Sequence, residues 1–161
     1  MKRTNLLIII GLLMALILAA CGQAATPAAS QSGYVLTTGL KDGKMVFIGV
    51  GGDIEGQANP ALKVKPGDTL TVTVVNGEGA PHDIFFPVID AKSGRVAEAG
   101  KSTTLTFTVP DRDGAFEYYD TVPGHAEAGM KGYLLVGNAL APDQASTLDV
   151  YQAADQSQSQ V

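Results

Sequence analysis

The sequence has no tryptophan, a single cysteine, two histidines, and only five phenylalanines and five tyrosines. One cysteine cannot build a disulfide framework. No glycine-rich phosphate loop is present, and no stripe of Lys and Arg, which argues against nucleotide and nucleic-acid binding. No window beyond the N-terminus keeps a helical period over three turns. What is present are 19 glycines and short runs of Val, Leu, Phe and Tyr separated by turn residues. That pattern predicts one small all-β domain within the 161 residues.

The N-terminus reads as an export segment. Lys2 and Arg3 precede an almost unbroken apolar run from Leu6 to Ala20. The run is short and wrongly flanked for a membrane span, so residues 1–20 are predicted to be a signal peptide. It closes on Leu18-Ala19-Ala20-Cys21, which resembles the lipobox of bacterial lipoproteins, in which the Cys is lipidated. An ordinary signal peptide or an uncleaved anchor are the alternatives. The lipoprotein reading explains why Cys21 is the sole cysteine. One acyl chain binds a membrane only reversibly, whereas two or three anchor it firmly. Removing residues 1–20 takes two of the 11 basic residues and none of the 16 acidic ones, leaving 9 against 16, a formal charge of −7. An acidic surface disfavours nucleic acid and suits a cationic partner or a metal ion.

Residues 21–33 are rich in Ala, Ser, Gln and Pro and are predicted to be a flexible tether. Residues 34–138 form the predicted domain, and 139–161 a polar tail that reads as disordered, with Leu148, Val150 and Tyr151 able to dock as a short turn. Strands are predicted over Met45 to Val50, Ala61 to Lys65, Leu70 to Val74, Asp83 to Phe86, Thr104 to Val109, Ala115 to Asp120 and Gly132 to Val136. Alternation places Leu70, Val72, Val74, Leu105, Phe107 and Phe116 in the core. Short strands between turn signals imply an antiparallel sandwich.

The two histidines carry the chemistry. His82 lies in Gly79-Ala80-Pro81-His82-Asp83, and His125 in the loop from Asp120 to Met130 between the last two strands. With Phe-Glu-Tyr-Tyr before that loop, Gly-Met-Lys-Gly-Tyr-Leu-Leu-Val closing it and Val64-Lys65-Pro66-Gly67-Asp68 upstream, the chain resembles the cupredoxins, the family of azurin, plastocyanin and auracyanin. The nearest likeness within it is to the cupredoxin domain attached to some bacterial copper nitrite reductases. The resemblance spans Lys44 to Gly137 and implies a Greek-key β-sandwich that holds one copper ion and carries electrons. It also implies a ligand set of one early His and a late Cys, His and Met, matched here by His82, His125 and Met130. Such sites set two imidazoles and a thiolate around copper with a weak axial thioether.

At the Cys position this chain has Asp120. Phe116, Tyr118 and Asp120 share one strand face, so the carboxylate is predicted to point inward at the strand end. A carboxylate binds Cu(II) or Zn(II), but it lacks the sulfur bonding behind a blue colour, and it favours Cu(II) over Cu(I). The set therefore reads as a two-His-one-carboxylate site, with Met130 as a distant fourth donor. Two roles follow: an extracytoplasmic, non-blue copper-binding lipoprotein that holds or passes copper, or a metal-free domain docking on a respiratory or copper-handling partner. A nitrite reductase or multicopper oxidase needs a second copper centre with more histidines, which two histidines cannot supply. Asp53 and Asp83 could capture metal or brace its ligands, but their turn settings predict exposed carboxylates. Tyr118 and Tyr119 read as core and rim residues rather than redox relays. Met130 alone could equally be core filler.

Overall fold

The computed structural model describes residues 31–144. Among the described residues nine strands run in chain order: β1 (Gln31–Lys41), β2 (Lys44–Val50), β3 (Leu62–Val64), β4 (Thr69–Val75), β5 (Phe85–Phe86), β6 (Ala91–Lys92), β7 (Ser102–Thr108), β8 (Gly114–Tyr119) and β9 (Lys131–Val136). They form two sheets, ordered β2-β1-β4-β7 and β3-β9-β8-β5-β6. Most pairs are antiparallel. Two are parallel, β1 with β4 and β3 with β9. Parallel neighbours cannot be joined by a hairpin, and between β1 and β4 the chain crosses to the other sheet to make β3.

β4 shows why these residues form this layer. Leu70, Val72 and Val74 are fully buried and alternate with threonines on the other face. There the Thr71 and Thr73 hydroxyls bond those of Thr106 and Thr104 at 3.0 and 3.1 Å. Leu36, Phe47, Phe86, Tyr118, Leu134 and Val136 complete the core between the sheets. Tyr118 stacks edge-on against Phe47 and gives its hydroxyl proton to the Pro60 carbonyl at 2.8 Å. Tyr119 sits at the rim, its ring perpendicular to that of Phe85.

The core differs from the sequence pattern at three positions. Leu105, Phe107 and Phe116 are only partly buried, packed against the core rather than enclosed in it. β7 is an edge strand, so its inward side chains keep one flank open. Phe116 lies near the start of β8, where the Arg112 guanidinium covers its ring at 4.7 Å.

Two strands escape the sequence pattern. β1 begins at Gln31, inside the stretch whose composition predicts a tether, and β6 is two residues long. At the other end Ala141 is buried, so the chain still packs on the domain beyond residue 138. Among the described residues no helix is long and apolar enough to cross a membrane. Cys21 and the predicted signal peptide lie outside the described residues, as do Leu148, Val150 and Tyr151.

The pairing of β5 with β8 positions the site. It is antiparallel, with Phe85 opposite Tyr119. The approach to β5, which carries His82, therefore lies beside the exit from β8, which carries Asp120.

Candidate metal centre

Each side chain of the site is fixed by its own local structure. His82 forms an isolated bridge with Val96, its N–H to the Val96 carbonyl at 2.9 Å and its carbonyl to the Val96 N–H at 2.8 Å. Asp120 follows β8 and gives its N–H to the Met130 carbonyl at 3.1 Å. Met130 gives its own N–H to the His125 carbonyl at 2.9 Å, which closes the ligand loop. Gly124 and Gly129 take positive φ of 88° and 108° within it, conformations that other residues rarely adopt. Asn59 secures the loop from outside through its side-chain amide, 2.7 Å from the Gly129 carbonyl.

The result is a compact triad. Asp120 Oδ2 lies 2.6 Å from His82 Nδ1 and 3.0 Å from His125 Nδ1. Asp120 Oδ1 takes the Val122 N–H at 2.8 Å. The imidazole centroids are 4.9 Å apart, tilted by 46°. His82 and Asp120 are buried, and His125 is partly exposed. One donor atom from each residue lies within 4.8 Å of the others, an arrangement able to hold a metal ion. Two neutral imidazoles and one carboxylate suit a divalent transition ion, so the residues present fit copper(II) on donor chemistry. Asp120 thus points inward, as strand parity predicts. Met130 is buried in the core cluster, tied to the triad residues through its backbone.

Two acidic residues have roles the sequence did not show. Asp83 is fully buried, not the exposed turn carboxylate its setting predicts. Its Oδ1 accepts the Thr121 N–H and hydroxyl, each at 2.8 Å, and its Oδ2 accepts Arg95 at 3.0 Å, with the Lys92 ammonium 3.4 Å away. Burial alone would raise the Asp83 pKa. The Thr121 hydrogen bonds, Arg95 and Lys92 outweigh it and hold the carboxyl below its ordinary value. The nearest sequence signal is Arg95, 12 residues away and silent about pairing. Asp53, by contrast, is exposed, as its turn predicts.

The second is Glu78. Its Oε1 lies 2.9 Å from His82 Nε2, so His82 has a carboxylate at each ring nitrogen. Burial works to lower the His82 pKa. The hydrogen bond and charge of Asp120, joined by those of Glu78, outweigh burial and raise it.

The fold is the all-β sandwich of the cupredoxin type. A solved structure of auracyanin B superposes with a TM-score of 0.50 at 19% identity, covering 66% of this chain and 88% of that one. A variant of the multicopper oxidase McoA from Aquifex aeolicus gives a TM-score of 0.50 at 19% identity, over 68% of this chain and 29% of that one. No family model matches the chain. In sequence the chain is similar to rusticyanin from Acidithiobacillus ferridurans, 33% identical over 100 residues, covering 52% of this chain and 54% of that protein. The chain therefore spans about half the length of the curated relatives it matches.

Proposed function

We propose that this protein is an extracytoplasmic copper-binding domain, anchored to a bacterial membrane through lipid on Cys21, that holds or passes Cu(II) rather than serving as a blue electron carrier. The observation that carries the reading is the convergence of both His Nδ1 atoms on one Asp120 oxygen. His82, Asp120 and His125 would hold the ion, with Met130 as the fourth, weak donor that its place in the loop suggests. Copper(II) so bound would lack the sulfur bonding that gives blue centres their colour and fast electron exchange. Zinc suits the same donors and is the competing ion. Two histidines serve one such site and leave none for the second copper centre that a nitrite reductase or multicopper oxidase needs.

Access supports an exchange role. His125 is the partly exposed member of the triad, while the side chains of His82 and Asp120 are enclosed. A surface depression of about 470 Å³ lined by Phe85, Tyr119, Val122 and Pro123 lies on the same ligand loop, where a copper-handling or redox partner could dock. A metal-free interaction domain is the rival reading. It draws on the same contacts, since the three side chains satisfy one another and no described buried polar side-chain atom lacks a partner. Copper stoichiometry of the purified chain separates the two. One Cu(II) per chain, lost when His82, Asp120 or His125 is replaced by Ala, is the expected result. No uptake, with the fold intact, would favour the interaction domain.

A further inference from the structure

Glu78 belongs to no ligand position, yet the chain invests in placing it. Asn76 is fully buried, and its Oδ1 accepts the backbone N–H groups of Glu78 and Gly79 at 3.1 and 2.7 Å. Its side-chain amide reaches the Val96 carbonyl at 3.1 Å, beside the bridge that fixes His82. The Gly77 N–H bonds the buried Thr38 hydroxyl at 3.1 Å, and a Cβ on Gly77 would come within 2.2 Å of the Thr38 carbonyl. The turn is thus pinned to β1, and only glycine allows so close an approach. Glu78 then spans from this pinned turn to His82 Nε2, its side chain 24% exposed.

We propose that Glu78 is the positioning residue of the copper site, holding His82 with its proton on Nε2 so that Nδ1 faces the ion, and biasing the site towards divalent copper. The inference rests on the copper reading. A metal-ligating His commonly gives its second N–H to a carboxylate, which fixes the ring and raises the basicity of the ligating nitrogen. The charge acts as well. Two carboxylates, Asp120 and Glu78, balance a divalent ion, whereas Cu(I) leaves a net negative charge in a largely buried site. Glu78 therefore compounds the preference for Cu(II) that Asp120 sets.

Glu78→Gln and Glu78→Ala, made in the full chain, test this. Gln keeps an acceptor for the Nε2–H and removes the charge, while Ala removes both. Affinities for Cu(II) and Cu(I) are read by competition with chelators of each ion. The His82 Nε2–H is read by NMR without metal. Glu78→Gln is expected to lose about 10- to 100-fold in Cu(II) affinity, with a smaller change for Cu(I). The parent chain is expected to show a slowly exchanging Nε2–H signal, and Glu78→Ala to lose it. Equal losses for the two ions in Glu78→Gln, or none, would overturn the charge bias. An Nε2–H signal that persists in Glu78→Ala would overturn the positioning role. A parent chain that binds no copper, yet loses the signal in Glu78→Ala, would support the positioning and sink the copper reading.

Discussion

Asp83 and Thr121 tie the approach to β5 to the exit of β8: one carboxylate oxygen accepts both the Thr121 N–H and its hydroxyl at 2.8 Å. Thr121 follows Asp120 and Asp83 follows His82, so this pair sets the relation between the two buried members of the triad. Replacing Asp83 by Ala leaves a part-buried N–H and two cations without their acceptor. The expected loss is about 2–3 kcal/mol in urea unfolding, discounted because Arg95 and Lys92 are half exposed. A loss under about 0.5 kcal/mol, typical of an ordinary surface site, would show that the clamp contributes nothing.

The same residue sets the acid limb of stability. Its folded pKa is depressed, so its contribution is present above the unfolded value of about 3.9 and is lost as pH falls through the lower folded value. His82 acts in the opposite sense. Its folded pKa is raised, so in a chelator-treated chain its contribution is complete below about pH 6.5 and is lost as pH rises through the folded value. Urea midpoints followed from pH 5 to 9 should decline over the upper part of that range, and His82→Asn should flatten the decline. Copper demands a neutral imidazole, so Cu(II) affinity should rise over the pH range in which metal-free stability falls. An affinity that instead peaks near pH 5 would contradict this assignment.

Phe86 and Phe107 stack with centroids 4.8 Å apart, but only Phe86 is fully enclosed. Phe86→Ala should therefore cost about 3–5 kcal/mol, as for a fully buried aromatic. Phe107→Ala should cost about 2 kcal/mol, because edge strand β7 leaves part of that ring in water. A larger loss at Phe107 than at Phe86 would mean that β7 is covered in solution.

Where side chains alternate along one strand, the sequence was readable. β4 and the Phe116-Tyr118-Asp120 face follow from parity alone, and so does the inward aim of Asp120. His82 and His125 stood out as the chain's two histidines, and Asp120 because it stands where the resembled family has its Cys. β1 was hidden because Gln31-Ser32-Gly33 matches the tether in composition, and its strand character comes from pairing with β2 and β4. Glu78 and Asp83 were hidden for a related reason. Asp83 sits among turn residues, and its burial and partners arise only when loops distant in sequence converge. Glu78 is only four residues from His82, but the contact depends on the path of the turn that buried Asn76 holds, which composition does not show.

Anchoring is tested at Cys21. Cys21→Ser should release the protein from the membrane fraction or leave it unprocessed, as read by fractionation and by the mass of the mature chain. Normal processing with unchanged membrane association would rule out the lipid anchor.

The most direct measurement is the electronic spectrum of the Cu(II)-loaded chain beside that of Asp120→Cys. The account predicts one Cu(II) per parent chain and an almost colourless complex, because a carboxylate replaces the thiolate whose charge transfer absorbs in the red. Asp120→Cys restores sulfur between His82 and His125 and should turn blue. An Asp120→Cys variant that folds, binds copper and stays colourless would contradict the placement of these residues around one ion.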